Sequence, residues 1–135
     1  MSVELHLIAD IPQKALIVRD GKLLIVFDQR WELPGGRLHI DETPHDGLRR
    51  EVMEELGAEI NVTGIHDTFT FFRGEMQHFC VVYHCELAPT SAEPRPDGVE
   101  LKDLRWVSSV DELNGLSFSA GFRETVEKFL RQGLT

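Results

Sequence analysis

The sequence has no long hydrophobic run. Its longest stretch of aliphatic and aromatic residues is Leu23–Phe27, whereas a membrane-spanning helix needs ~20 apolar residues. Met1–Asp10 contains Glu4 and Asp10 and lacks the cationic segment followed by an apolar one that marks a secretory signal. We therefore expect no membrane segment and a cytoplasmic location.

Positive charge is scarce. The chain has 14 Lys and Arg against 23 Asp and Glu, a formal net charge of −9 at pH 7 with histidine neutral. A sequence-independent hold on the phosphates of a long nucleic acid requires the opposite sign, so we expect no long nucleic acid as partner. Binding of any phosphorylated molecule would require a local reversal of charge.

Cysteine is also rare, with only Cys80 and Cys85. Both fall in one predicted strand, where five steps of about 3.3 Å separate them beyond disulfide reach. We therefore expect reduced thiols. A zinc site of His78, Cys80, His84 and Cys85 has suitable residue types, but the odd spacing places the two sulfurs on opposite strand faces. Half-buried strand residues are the favoured interpretation.

The chain shows no internal repeat and no break in composition, which predicts one domain over residues 1–135. The spacing of Leu48, Val52 and Leu56 predicts a helix over Pro44–Leu56, with Thr43 as N-cap and Gly57 at its end. The other predicted elements are strands at Val3–Ile8, Ala15–Arg19, Leu23–Phe27, Glu59–Phe72, Gln77–Leu87 and Leu104–Val107, a loop at 88–98, and a C-terminal helix carrying Phe118, Phe122, Val126, Phe129 and Leu130. This order predicts an α/β sandwich.

Three glutamates share one side of the predicted central helix. Glu51, Glu54 and Glu55 are spaced i, i+3 and i+4, and they lie beside the apolar row rather than opposite it. Like charges at these spacings oppose helix formation, and a cluster of hard oxygens suits Mg²⁺ or Mn²⁺. A solvated, glutamate-rich surface helix has the same pattern, so the triplet alone leaves both interpretations open.

A tight turn precedes this helix at Trp31–Gly36, where Pro34 and two glycines let the backbone approach a ligand. Gly36, five residues, Glu42, seven residues and then Arg50–Ala58 resemble the signature of the Nudix hydrolase family, with every fixed residue present. Seven specified positions match by chance with a probability of about 10⁻⁹ per starting point. The resemblance extends to the Trp31–Gly36 lead-in and, downstream, to Glu100 and Arg105–Val107. Ala58 is smaller than the usual family residue, which affects packing only.

The resemblance implies an α/β/α sandwich with a mixed β-sheet, in which the signature forms a loop, a helix and a loop. It also implies hydrolysis of a nucleoside diphosphate linked to another moiety, by attack of water on phosphorus. Divalent cations are required in the family, with Mg²⁺ expected here and Mn²⁺ as the alternative. The family pattern assigns the metal ligands to Glu51, Glu54, Glu55 and the backbone carbonyl of Gly36.

The family pattern pairs Arg50 with Glu42, which would orient the metal-binding carboxylates. The general base is either Glu51 or a carboxylate from a distant loop, for which Glu100 is the candidate, and an ordinary exposed glutamate is the alternative for Glu100. Arg30 and Arg37 flank the glycine turn and could contact phosphate oxygens. Phe71, with its neighbours in the same strand, could stack on a nucleobase, although core packing is commoner for strand aromatics.

The substrate within the family is less constrained. The short chain is similar to the MutT-like group that removes pyrophosphate from nucleoside triphosphates, so a (d)NTP is the leading hypothesis. The window Phe72–Glu75 lacks the proline and the tyrosine typical of relatives acting on sugar-linked nucleotides and diadenosine polyphosphates. Alternatives are a nucleotide sugar, a dinucleoside polyphosphate, an RNA 5′ end, or a nucleotide-sensing domain without catalysis. Many small relatives are dimers, so a homodimer is a candidate assembly.

Overall fold

The computed structural model describes residues 4–132. The strands are β1 (Pro12–Arg19), β2 (Lys22–Phe27), β3 (Trp31–Glu32), β4 (Gly35–Arg37), β5 (Ile60–Arg73), β6 (Met76–Leu87) and β7 (Asp103–Val107). Helix α1 spans Pro44–Leu56, helix α2 spans Phe122–Gln132, and a 3₁₀ turn covers Val110–Leu113. Within the described residues, no helix is long and apolar enough to cross a membrane.

Strand β1 is the centre of a mixed sheet with the order β3-β2-β1-β6-β5. It pairs parallel with β6 over Gln13–Ile17, and antiparallel with β4 over Pro12–Lys14 and with β2 at its far end. Strand β7 adds to β2, so that Leu24 lies opposite Trp106. Because Gln13 and Lys14 pair with the two glycines of β4 on one side and with β6 on the other, the glycine turn is held directly against the middle of the sheet.

Two hydrophobic clusters cover the two faces of this sheet. Alternation along β1 sends Ala15 and Ile17 to one face, where they pack with Leu48, Val52 and Leu56 of α1. Leu16 points to the other face and packs with Phe122 and Val126 of α2, among others. The predicted α/β/α sandwich with a mixed sheet is therefore confirmed.

Two β-hairpins join consecutive strands. Asp20 and Gly21, between β1 and β2, are turn residues in the sequence and have φ values of 51° and 73°, the conformation that a two-residue hairpin turn requires. Gly74 with φ 61° joins β5 to β6, and the pairing of these two strands has a register shift between Val62 and Gly64.

The first predicted strand is wrong. Residues 4–11 form no strand, and Leu5 and Ile8 are 91% and 94% exposed; Val3 lies outside the described residues. Both edges of β1 before Ala15 are occupied, one by β4 and the other by β6. The segment therefore cannot pair with β1 there. Strand β1 instead begins at Pro12, three residues before its predicted start, and the short strands β3 and β4 were not predicted.

Candidate active site

The ends of α1 coincide with those predicted from the sequence. The Thr43 hydroxyl accepts a hydrogen bond from the Asp46 N–H (3.3 Å), and Pro44 occupies the first turn. At the other end Gly57 adopts φ 64° and donates its N–H to the Met53 carbonyl (2.9 Å). These caps set the helix register, and the register decides where the three glutamates point.

The three carboxylates lie at different depths beside the core. Glu55 is buried at 5% exposure, the Glu51 side chain is 14% exposed, and the Glu54 side chain is 52% exposed. The row Leu48, Val52 and Leu56 is fully buried, as predicted. A solvated acidic stripe would be uniformly exposed, so the burial of Glu55 and Glu51 argues against the surface-helix interpretation.

Glu55 is a buried carboxylate that contacts the glycine turn. Its Oε1 accepts the Gly35 N–H at 2.8 Å. Burial raises the pKa of Glu55 to about 8, opposed by the positive charge of Lys14 and by the Gly35 hydrogen bond, and supported by the charges of Glu51 and Glu32. The folded chain therefore places a carboxyl group where its charged form needs additional cationic compensation.

Arg50 of α1 is at the centre of an ion-pair network with Glu42, Glu51 and Glu54. Its Nε and Nη2 donate to Glu42 at 2.6 and 2.9 Å, and its Nη1 donates to Glu51 and Glu54 at 3.0 and 3.2 Å. The hydrogen bonds from Arg50 lower the pKa of Glu42 to about 2. The predicted pairing of Arg50 with Glu42 is present, and the arginine links this pair to two of the candidate metal ligands.

The glycine turn lies against these carboxylates because it lacks side chains. Gly35 has φ 138° and packs directly on the Gln13 carbonyl, which leaves no room for a Cβ. At Gly36 an added Cβ would come within 2.5 Å of the Glu51 carboxyl carbon. The Gly36 backbone and the Glu51 carboxylate are thus in contact, as a shared ligand set requires.

Lys14 is a site residue that the sequence did not reveal. It is 7% exposed, and its Nζ lies 3.1 Å from the Glu32 carboxylate and 3.3 Å from the Gly35 carbonyl. In the sequence, Lys14 is a single lysine next to a run of apolar residues, and such a lysine gives no distinctive signal. Its role becomes visible only when β4 pairs with β1 and encloses the ammonium group.

One cleft of about 500 Å³ collects several of the predicted residues, namely Gly36, Arg37, Glu51, Phe71 and Glu100. Arg37 forms an ion pair with Asp10 (3.2 Å). Arg30 lies outside this cleft in a neighbouring one of about 540 Å³, which shares Glu32, Phe71 and Arg73 with the first. Glu54 and Glu55 line a separate groove at the C-terminal end of α1. Sequence reasoning missed Lys14, Glu32, Arg73 and His78 as cleft residues.

Glu100 reaches the cleft on a loop that is organised by Asp97. One oxygen of the Asp97 carboxylate accepts the N–H groups of Val99, Glu100 and Leu101 at 2.9 to 3.0 Å. These hydrogen bonds lower the pKa of Asp97. The Asp97 N–H in turn donates to the Glu55 carbonyl, so the loop is attached to the last turn of α1.

The two cysteines lie on opposite faces of β6, as expected. Cys80 packs in the cluster with Leu16, and Cys85 packs in the cluster with Ala15; both are free thiols. Burial raises the pKa of each thiol to about 12. Because the two sulfurs lie on opposite faces of the strand, His78, Cys80, His84 and Cys85 do not converge on one zinc ion. Across residues 4–132, no three His, Cys, Asp or Glu side chains are arranged as a metal site, the three glutamates of α1 included.

Comparisons with known proteins agree on one family. The model of the NUDIX domain matches residues 6–129. A MutT-like protein of Streptomyces ambofaciens is 45% identical over 62 residues, a match covering 41% of this chain and 40% of the relative. The nucleoside triphosphatase NudI of Enterobacter sp. (strain 638) is 27% identical over 117 residues, which cover 81% of this chain and 80% of NudI.

A solved structure shows the same fold over nearly the whole chain. The MutT protein of Methanosarcina mazei Go1 superposes with a TM-score of 0.77 at 26% identity, covering 96% of this chain and 98% of that protein. The match of the domain model spans most of the chain and contains the glycine turn, α1 and the Glu100 loop. The chain belongs to the Nudix family of hydrolases, enzymes that act on phosphoric anhydride bonds.

Proposed function

We propose that this chain hydrolyses nucleoside triphosphates to the monophosphate and pyrophosphate, with Mg²⁺ as the metal and Mn²⁺ as the alternative. The observation that carries the proposal is the contact between the Gly36 backbone and the Glu51 carboxylate at the edge of a 500 Å³ cleft, next to the buried Glu55. The name of the NudI relative supports a triphosphate as substrate.

The residues present fit a divalent cation. Glu51, Glu54, Glu55 and the Gly36 carbonyl are all hard oxygen donors, the kind that Mg²⁺ and Mn²⁺ prefer. A bound cation would offset the burial that raises the pKa of Glu55 to about 8. Arg50 now neutralises Glu51 and Glu54 through Nη1, so metal binding requires these two side chains to turn from Arg50 toward the cation.

When bound, the cation neutralises charge on the phosphates and lowers the pKa of the attacking water. Two hydrogen bonds to Glu42 anchor Arg50 beside Glu51 and Glu54, so that the guanidinium group stays in place when the two carboxylates turn toward the cation. Water attacks the α phosphorus, and the bond from that phosphorus to the oxygen that bridges the α and β phosphates breaks. Pyrophosphate leaves with the bond electrons. The water proton goes to a carboxylate, for which Glu100 in the cleft is our candidate and Glu51 the alternative.

Substrate contacts follow from the lining of the cleft. Arg37 lies next to Gly36 and, once released from Asp10, can donate to phosphate oxygens; Arg30 lies farther along the connected clefts. Phe71 offers an aromatic face for the base. On a chain of net charge −9, these cations and the metal supply the local reversal of sign that a polyphosphate needs.

The experiment is a panel of the four ribo- and four deoxyribonucleoside triphosphates, a nucleotide sugar and a dinucleoside polyphosphate, incubated with Mg²⁺ and analysed by product mass. We expect pyrophosphate from at least one triphosphate, and a loss of two to four orders of magnitude in kcat for Glu54→Gln. Glu124→Gln is the matched control, because Glu124 is an exposed glutamate on α2 away from the cleft. Full turnover in Glu54→Gln, or no cleavage of any triphosphate, would reject the proposal.

A further inference from the structure

Two aromatic rings form a stacked pair in the cleft. Phe71 on β5 lies directly opposite His78 on β6 in the strand register. Their ring centroids are 5.1 Å apart with an interplanar angle of 17°, and both residues line the cleft that contains Gly36 and Glu51. The register of the hairpin therefore holds an imidazole ring and a phenyl ring parallel to each other in the candidate active site.

The His78 ring has an unmet hydrogen-bonding capacity. His78 is 6% exposed, and its Nδ1 is buried with no hydrogen-bond partner among residues 4–132. Burying a polar atom without a partner costs free energy, so such groups in folded proteins are commonly satisfied by water or a ligand. The buried Lys14 of the same cleft has a partner, since its ammonium group pairs with Glu32.

The Phe71–His78 pair shares its cleft with Glu51, and this limits which part of a substrate can contact the pair. His78 and Glu51 line one cleft of about 500 Å³, the size of a site for a single small molecule. A nucleotide whose phosphates lie at Glu51 and Gly36 has only its nucleoside part left to fill the rest. The edge of a base carries donors and acceptors that an imidazole nitrogen can meet, and the stack on Phe71 fixes the plane of that imidazole.

We propose that His78 is a specificity-determining residue, whose ring nitrogen hydrogen-bonds the edge of the substrate's nucleobase while the stack on Phe71 holds the imidazole in place. The inference rests on the proposed function for the position of the phosphates. It assigns His78 no part in the cleavage step, because the groups proposed for bond breaking are carboxylates.

The test compares His78→Phe with the unaltered protein on the four ribonucleoside triphosphates and on ribose 5-triphosphate, which has no base. Phenylalanine keeps the ring and the stack and removes the nitrogens. We expect KM for the preferred base to rise about tenfold, the preference among the four bases to fall by a similar factor, and KM for ribose 5-triphosphate to stay unchanged.

His84→Phe is the matched control. His84 lies on the same strand, and its ring packs with His66 and Phe129 rather than in the cleft. The base preference of this variant should equal that of the unaltered protein. An equal drop in preference in both variants would show a general effect on the sheet and would overturn the inference.

A second measurement uses the unaltered protein and so does not depend on the folding of any variant. The ring nitrogens of His78 are followed by ¹⁵N NMR while α,β-methylene analogues of the four triphosphates are added with Mg²⁺. We expect a His78 shift that is largest for the preferred base. An unchanged base preference in a folded His78→Phe variant, or no His78 shift with any analogue, overturns the inference and leaves the hydrolysis itself standing. Absence of hydrolysis with a clear His78 shift would refute the proposed function alone.

Discussion

The buried carboxyl group of Glu55 should make the metal-free protein less stable as the pH rises. Its pKa in the folded chain is about 8, above the ordinary value of 4.5. Below pH 4.5 the group is protonated in both the folded and the unfolded state and has no effect on the free energy of unfolding. Between pH 4.5 and 8 only the unfolded chain ionises, so stability is lost as the pH rises through the folded pKa, and above it the loss is constant.

The size of the effect follows from these two pKa values. Each pH unit in that window lowers the free energy of unfolding by about 1.4 kcal/mol. The full window therefore gives an upper bound of about 5 kcal/mol. Relaxation of the protein and entry of water reduce this, so we expect about 3 kcal/mol at pH 8. Glu55→Gln removes the ionisation and retains an oxygen for the Gly35 N–H. The variant should therefore match the unaltered protein near pH 4.5 and exceed its stability by about 3 kcal/mol at pH 8.

Urea unfolding in EDTA at pH 5, 6, 7 and 8 measures this difference. Glu54→Gln is the control for a glutamate-to-glutamine change on the same helix, because Glu54 is half exposed rather than buried. Mg²⁺ should stabilise the unaltered protein more than Glu55→Gln. A difference between Glu55→Gln and the unaltered protein that stays constant within about 0.5 kcal/mol from pH 5 to pH 8 would refute the reasoning.

Three further predictions concern the surroundings of the site. Gly36→Ala should lower kcat at least tenfold while unfolding near the original urea concentration, because the new Cβ displaces the flexible Glu51 carboxylate; a normal kcat would show that this contact is unimportant. Asp97→Ala leaves three N–H groups to water in place of their acceptor and should cost about 0.5–1.5 kcal/mol, whereas Asp97→Asn should cost less, as urea titrations of both variants can show. Burial and the neighbouring His66 lower the pKa of His84, so stability should fall as the pH drops below about 6.5; melting temperatures at pH 7.5 and 5.5 should show a smaller drop for His84→Phe.

Local sequence signals were sufficient where neighbouring residues make the structure. The ends of α1 depend on Thr43, Pro44 and Gly57, whose capping chemistry acts within one turn. The same holds for the turns at Gly21 and Gly74. The strand predicted at Val3–Ile8 was wrong because a strand needs a partner, and an alternating pattern does not say whether one is present.

The sequence by itself determined the family, the acidic side of α1 and the residues that flank it, because these depend on short spacings and on helix periodicity. Only the tertiary structure decided how deeply each glutamate is buried, since that depends on the pairing of β4 with β1, two segments about twenty residues apart. It alone placed Lys14 and His78 in the cleft, because enclosure of a polar side chain in a strand leaves no pattern in the local sequence.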